Sequence, residues 1–167
     1  MSFIFEELDC QPSPIGDISL RRRSEPRLNN KIIYEVKLGD EFLMSSLFVE
    51  AEEQLSTLGL AALKRNGHQS ELDIIVGGLG LGYTAVEALK DLAVKRMRVI
   101  DIMPPVISWH QRGLLPVGDI LATDHRSELV EGDFFKLATT SDSGFEQSQP
   151  QQPVHAVLLD IDHSPSH

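Results

Sequence analysis

Residues 72–102 read LDIIVGGLGLGYTAVEALKDLAVKRMRVIDI and contain the pattern that decides the fold. Residues 72–76 form a short apolar run, as expected for a strand that is buried on both faces of a sheet. A glycine-rich turn follows, and residues 84–95 place apolar side chains at helical spacing. Residues 97–102 (MRVIDI) are predicted to be a second strand. This order predicts a βαβ unit, in which the two strands are parallel.

The region after residue 102 continues the same alternation. A short helix is predicted at residues 106–112 after Pro104-Pro105, and strands are predicted at residues 128–133 and 155–159. Residues 139–153 (TTSDSGFEQSQPQQP) are polar and low in complexity, which predicts a mobile surface loop. The fold class predicted from these segments is α/β, with a Rossmann-like, doubly wound and mostly parallel sheet.

The amino-terminal region has a different pattern and is predicted to be a small β-hairpin module. Strand-like segments at residues 18–22, 31–38 and 41–44 are separated by turn residues such as Gly39-Asp40. A helix is then predicted from Ser46 as its N-cap to Asn66-Gly67. We therefore predict two parts, a β module at residues 1–44 and a ligand-binding α/β domain at residues 45–167.

Composition excludes several classes of function. No apolar run approaches the roughly 20 residues of a membrane helix, and the first residues do not resemble a signal peptide. The net charge is −10, and residues 101–167 carry ten acids against three bases, which makes general nucleic-acid binding improbable. The run Arg21-Arg22-Arg23 is interpreted as a solvated strand end or turn, with contact to an anionic group as the alternative. The single Cys10 excludes an internal disulfide and suits a cytoplasmic location.

The candidate site lies where the predicted parallel strands end. Right-handed crossovers bring these carboxyl ends to one edge of the sheet, where ligands of such folds bind. After the first strand, Gly78, Gly80 and Gly82 have the spacing G-x-G-x-G. This differs from the dinucleotide pattern G-x-G-x-x-G and is typical of S-adenosylmethionine sites. A plain tight turn between strand and helix is the alternative interpretation.

Acidic residues follow the next two strands. Asp101 ends the second strand, and a carboxylate there can accept two hydrogen bonds from a ribose diol. A helix cap or a solvated strand end is the alternative for Asp101. Asp133 follows the third strand and is a candidate acceptor for an adenine amino group. Phe134 or Phe135 could flank that ring, although we expect at least one of them to be a core residue.

The last predicted strand runs into Asp160 and Asp162, which are the candidate catalytic residues. Carboxylates at this edge could orient a cationic amine or accept a proton from a nucleophile. His163 could act as a base, or bind a metal together with the two acids. A solvated histidine is the favoured alternative, so no metal site is predicted.

These motifs resemble the spermidine synthase-like branch of class I S-adenosylmethionine-dependent transferases, which are related to the polyamine aminopropyltransferases. The resemblance rests on GGLGLGYTA (residues 77–85), VIDIMPPVISWH (99–110), GDFF (132–135) and LLDIDHSP (158–165). SPIGDISLRRR (13–23) and DEFLMSS (40–46) are similar to the β module and first helix of that branch. The resemblance implies a class I methyltransferase-type sheet.

The resemblance also implies a role for each site residue. Gly78, Gly80 and Gly82 would line the methionine part and ribose of S-adenosylmethionine or its decarboxylated form. Asp101 would hold the ribose hydroxyls, Asp133 would lie beside the adenine, and Asp160 would act on the attacking amine. The partners that the resemblance implies are thus a nucleoside sulfonium and an acceptor amine.

Three features depart from the family pattern. Leu79 and Leu81 interrupt the G-G-G-D-G-G turn of spermidine synthases, and Asp160-x-Asp162 replaces their D-x-x-D. The chain also ends at His167, soon after the predicted fourth strand, so the later strands of the family are expected to be missing. The leading hypothesis is a transferase domain, with a non-catalytic scaffold or a methyltransferase as alternatives. An exposed last strand predicts a homo-oligomer.

Overall fold

The computed structural model describes residues 4–13, 15–140, 144–146 and 153–161. The amino-terminal part contains four strands: β1 (Phe5–Ser13), β2 (Gly16–Glu25), β3 (Lys31–Leu38) and β4 (Glu41–Ser45). The remainder alternates helices and strands: α1 (Glu50–Arg65), β5 (Leu72–Gly77), α2 (Tyr83–Leu89), β6 (Val94–Asp101), α3 (Pro104–Gln111), α4 (Gly118–Thr123), β7 (Ser127–Glu131), α5 (Phe134–Thr139) and β8 (Ala156–Leu159).

The strands form two sheets, which confirms the α/β fold class predicted from the sequence. Strands β1 to β4 form an antiparallel meander in sequence order. The second sheet is parallel and has the order β7-β6-β5-β8. The chain therefore proceeds outward from β5 to β7 and then returns to the other side of β5. This reversal creates a switch point between β5 and β8, where ligands bind in open α/β sheets.

The parallel sheet buries apolar side chains on both of its faces. Along β5, Ile74 and Val76 belong to the main core, whereas Ile75 belongs to a smaller core on the opposite face. Successive side chains of a strand point to opposite faces, so this alternation follows from the strand geometry. Phe134 and Leu137 of α5 cover the smaller core. The continuous apolar run that predicted β5 is thus explained by burial on both faces.

The antiparallel sheet packs against the same main core. Its residues Ile18, Leu20 and Val36 are buried in that core. On β1, the Asp9 carboxylate accepts hydrogen bonds from Trp109 Nε1 at 2.8 Å and Arg112 Nη1 at 2.7 Å, both at α3. The predicted β module is therefore joined to the α/β part by a shared apolar core and by the hydrogen bonds of Asp9.

Two helix boundaries differ from the sequence prediction. Helix α1 begins at Glu50 rather than after Ser46, because the Ser46 hydroxyl accepts the Tyr34 backbone N–H at 2.8 Å and extends the β3–β4 pairing. Helix α2 ends at Leu89, although the pattern predicted a helix as far as residue 95. Leu92, an apolar residue near the end of that pattern, lies in the turn before β6 and is 93% exposed, and Val94 is already the first residue of β6. Helices α4 and α5 and strand β1 were not predicted.

The polar segment at residues 139–153 is only partly described, and the described part contradicts a purely mobile loop. Phe145 is partly buried and packs against the smaller core. The Glu146 carboxylate pairs with Arg96 at 2.7 Å and with the buried Arg98. Residues 144–146 are therefore anchored to the sheet by one aromatic ring and one ion-pair network, a contact that composition alone does not reveal.

Strand β8 pairs with β5 on one side only within the described residues. Its side chains Val157 and Leu159 are 44% and 47% exposed. Unpaired strand edges with apolar side chains tend to pair with another chain. We expect light scattering at micromolar concentration to detect dimers or larger species, and Val157→Lys to reduce them, because a charged edge opposes strand pairing. A monodisperse monomer of the unmodified chain would contradict this prediction.

No helix within the described residues is long and apolar enough to cross a membrane.

Candidate functional site

The carboxyl ends of the four parallel strands lie along one edge of the sheet. Gly77 at the end of β5 lies opposite Ile100 of β6 and Leu159 of β8. Asp101 at the end of β6 lies opposite Glu131 of β7. The glycine turn, Asp101, Asp133 and Asp160 all follow directly from these strand ends. Their placement along this edge of the sheet was predicted from the sequence and is present in the structure.

The three glycines of the turn adopt positive φ angles, +93° at Gly78, +48° at Gly80 and +90° at Gly82. A Cβ atom at Gly78 would lie 2.0 Å from the carbonyl oxygen of Asp160, and one at Gly82 would lie 2.7 Å from Cε1 of His110. At Gly80 the nearest atom would be Sδ of Met44 at 3.5 Å. Gly78 and Gly82 are therefore required by close packing, whereas a Cβ atom at Gly80 would make only an ordinary van der Waals contact with Met44.

Gly80 lines a narrow cleft between the glycine turn, α1 and the end of β8. It is lined by Met44, Glu52, Leu79, Gly80, Leu81, Gly82, Tyr83 and Asp160. Two of these side chains, Glu52 and Asp160, are carboxylates, and none is a lysine or arginine. The described lining therefore favours a cationic ligand over an anionic one. Glu52 was not predicted, since nothing local in α1 indicates that it lies near β8.

Hydrogen bonds to β5 and α2 hold Asp160 in place. Its backbone N–H donates to the Gly77 carbonyl at 2.7 Å and continues the β5–β8 pairing. Its Oδ2 accepts from the Thr84 hydroxyl at 2.5 Å. Thr84 is itself buried, and its carbonyl accepts from the Ser56 hydroxyl of α1 at 2.6 Å. Thr84 thus orients the carboxylate predicted to be catalytic, a role that the sequence analysis missed.

Backbone N–H groups donate to the Asp101 carboxylate, which corrects the alternative of a solvated strand end. Its carboxylate accepts from the backbone N–H groups of Leu79 at 2.9 Å and Met103 at 2.7 Å, and also from Gly80. Burial raises the pKa of this carboxyl above its usual range, whereas the three N–H donors oppose that shift. Asp101 therefore holds the glycine turn and the start of α3 together.

The Asp101→Ala variant is expected to lose both stability and affinity. Removal of the carboxylate leaves backbone N–H groups without acceptors and should lower the free energy of unfolding by roughly 2–4 kcal/mol. Affinity for methylthioadenosine should fall by about the same amount if the carboxylate also holds ribose hydroxyls. Urea denaturation and calorimetry measure the two effects separately. Unchanged affinity in a folded variant would contradict the ribose assignment.

Asp133 forms the N-cap of α5. Its Oδ1 accepts from the backbone N–H groups of Phe135 at 3.0 Å and Lys136 at 3.1 Å. Phe134 packs in the smaller core, which confirms that one of the two aromatic residues is a core residue. Phe135 is 43% exposed and is thus the ring that remains accessible at this edge. The proposed contact of Asp133 with adenine stays a prediction.

The arginine run lies within β2 rather than at a strand end. Arg21 and Arg23 both bond to the buried Glu35 carboxylate, at 2.7 Å and 2.8 Å. Arg22 pairs with Glu6 of β1 at 2.7 Å. Each of the three guanidinium groups is therefore paired with a carboxylate of its own sheet, and this accounts for the run without an anionic ligand.

Asp162 and His163 lie outside the described residues. Among the described residues, no group of three or more His, Cys, Asp or Glu side chains is close enough together to hold a metal ion.

Comparison with known proteins identifies the fold. No family model and no curated protein matches the sequence. Solved structures do match: spermidine synthase from Thermotoga maritima superposes with a TM-score of 0.68 at 17% identity, over 96% of this chain and 48% of that one. A spermidine synthase in complex with the transition state analogue AdoDATO gives a TM-score of 0.66 at 17% identity, over 93% of this chain and 47% of that one.

The chain therefore has a spermidine synthase-like fold, as the resemblance of its motifs implied. It spans about half the length of the solved structures that it matches.

Proposed function

We propose that this chain binds a nucleoside sulfonium, S-adenosylmethionine or its decarboxylated form, in the cleft between the glycine turn and Asp160. The observation that carries the proposal is the meeting of this turn with two cleft carboxylates at the switch point of the sheet. The fold supports it, since a solved structure of the same fold is a complex with AdoDATO.

Each predicted ligand-binding residue has a place in this proposal. Gly80 leaves room for the part of the ligand around the sulfur, next to Gly78 and Gly82. Asp101 accepts the ribose hydroxyls with the acceptor capacity that its three backbone donors leave, because a carboxylate has about four lone-pair sites. Asp133 lies one strand further along the edge, beside the adenine.

The charge of the cleft favours the decarboxylated cofactor. Glu52 and Asp160 line the cleft, and no lysine or arginine does so among the described residues. The carboxylate of S-adenosylmethionine would be repelled by these groups, whereas the aminopropyl ammonium of the decarboxylated form would be attracted. We therefore propose aminopropyl transfer to an amine as the reaction.

The transfer is a single displacement. The amine nitrogen forms a bond to the carbon beside the sulfonium, the carbon–sulfur bond breaks, and the electron pair stays on sulfur to give methylthioadenosine. Asp160 accepts the proton that the attacking nitrogen loses. The sulfonium supplies the leaving-group reactivity, so the protein contributes orientation and charge.

A non-catalytic scaffold is the second candidate, and one observation favours it. The Asp101 carboxylate is already bonded to the turn and to α3, so it has a structural role that would retain it without a ligand. A methyltransferase would share the glycine turn, but the acidic cleft gives it no specific support.

Calorimetry with S-adenosylmethionine, its decarboxylated form and methylthioadenosine distinguishes these candidates. We expect the decarboxylated form to bind at least about tenfold more tightly than S-adenosylmethionine, a difference of about 1.4 kcal/mol. Preference for S-adenosylmethionine would favour a methyltransferase. Absence of binding by all three would overturn the proposal in favour of the scaffold.

A further inference from the structure

His110 lies beneath the glycine turn and is completely buried on α3. Its Nε2 is 2.9 Å from the carbonyl oxygen of Gly80. A carbonyl only accepts hydrogen bonds, so Nε2 carries the proton and donates it. The other ring nitrogen, Nδ1, is buried without a hydrogen-bond partner among the described residues. This arrangement requires a neutral ring, because a second proton on Nδ1 would be a buried donor without an acceptor.

The His110 imidazole also packs against Gly82, the next glycine of the turn. A Cβ atom at Gly82 would lie 2.7 Å from Cε1 of His110, so the ring contacts the turn at two successive glycines. The peptide groups of Gly80 are then held from two sides. Asp101 accepts from its N–H group, and His110 donates to its carbonyl. The conformation of the cleft-facing glycine is therefore set by two side chains of the β6–α3 segment.

We infer that His110 is a positioning residue for the nucleoside sulfonium site. Its Nε2–H donor directs the Gly80 carbonyl toward α3, away from the bound ligand, and fixes the shape of the turn that the ligand contacts. This inference rests on the proposed function for the identity of the ligand. No local pattern predicts the contact, because His110 and Gly80 are 30 residues apart in the sequence.

Two substitutions separate the hydrogen bond from the volume of the ring. His110→Leu fills the site with an apolar side chain and removes the donor, whereas His110→Gln retains an N–H donor at a similar distance from the backbone. Ile107→Val, on the same helix and also buried, is the matched control for a general loss of packing. We expect His110→Leu to weaken methylthioadenosine binding roughly tenfold, and His110→Gln and Ile107→Val to remain within about threefold of the unmodified chain.

Two measurements that do not need His110→Leu keep the inference testable even where that variant does not fold. Nitrogen-15 spectra of the histidine ring in the unmodified chain should show a protonated Nε2 and a bare Nδ1. Amide exchange at Leu81 and Gly82 should be nearly the same in His110→Gln and in the unmodified chain, because both have an N–H donor for the Gly80 carbonyl. A ring protonated at Nδ1, or equal affinity of the unmodified chain and His110→Leu, would overturn the inference. Absence of binding of S-adenosylmethionine, its decarboxylated form and methylthioadenosine by the unmodified chain would instead overturn the proposed function, and the ring spectra would still decide whether His110 holds the turn.

Discussion

Gly78→Ala is expected to unfold most of the chain or to separate β8 from β5. The added Cβ would lie 2.0 Å from the carbonyl oxygen of Asp160 and 2.8 Å from its carbonyl carbon. Both atoms belong to the backbone, so relief requires a movement of the strand rather than a side-chain rotation. The positive φ of Gly78 adds strain for any residue that carries a Cβ. Together these effects should lower the free energy of unfolding by roughly 3–5 kcal/mol.

Gly80→Ala is the matched control, because it lies in the same turn and also has a positive φ. Its φ of +48° falls in the left-handed region that residues with a Cβ can adopt, and its Cβ would approach nothing closer than 3.5 Å. We expect a loss of only about 1–2 kcal/mol. Urea denaturation followed by circular dichroism measures both. Equal losses in the two variants would show that the contact with Asp160 is not what requires Gly78.

When affinity is measured for the folded protein alone, Gly80→Ala should lose more affinity than Gly78→Ala, which is the reverse of their order in stability. The Cβ of Gly80→Ala enters the cleft and should weaken methylthioadenosine binding in a well-folded protein. The loss in Gly78→Ala should follow the unfolding of the chain. This contrast would show that Gly78 is needed for packing and Gly80 for contact with the ligand. The G-x-G-x-G spacing alone does not distinguish these two roles.

The parts of the fold that were predicted correctly from the sequence are those with a clear pattern in neighbouring residues. Strand β5 and the glycine turn are continuous in the sequence, and their order with β6 is enough to indicate a parallel sheet. The errors occur where tertiary contacts override the local pattern. Ser46 has the composition of an N-cap, yet its hydroxyl bonds to Tyr34 across the antiparallel sheet, and α1 begins only at Glu50.

The candidate site shows the same division. The strand-end acids could be predicted because every parallel strand delivers its last residue to the same edge. Glu52, Thr84 and His110 could not, since each reaches the site from a helix through contacts with residues distant in the sequence. The backbone bonds of Asp101 were also missed, because sequence analysis assigns a carboxylate to a ligand without knowing which N–H groups are already near it.

Asp160→Asn is expected to abolish most aminopropyl transfer while leaving methylthioadenosine binding nearly unchanged. The carboxylate lines the cleft, and its orientation is set by the Thr84 hydroxyl. An asparagine oxygen can still accept from Thr84, so the substitution removes the charge and the basicity but keeps the shape. General-base assistance of this kind accounts for about 10²–10⁴-fold in rate. Because methylthioadenosine carries no sulfonium charge, its affinity should not depend on the carboxylate.

Three further variants separate a base from a general electrostatic effect. Glu52→Gln removes the other cleft carboxylate. It should weaken the binding of decarboxylated S-adenosylmethionine more than it slows turnover, because we propose that Glu52 attracts the cationic ligand and does not accept the proton. Thr84→Val keeps the Asp160 charge but removes the donor that orients it, and should have an intermediate effect on the rate. Asp162→Asn should reduce turnover less than Asp160→Asn, since we propose a charge-balancing role for Asp162.

Single-turnover rates with a panel of amines test this order. Equal rates in the unmodified chain and Asp160→Asn would contradict the assignment of Asp160 as the base, whereas an inactive unmodified chain that still binds the cofactor would favour the scaffold.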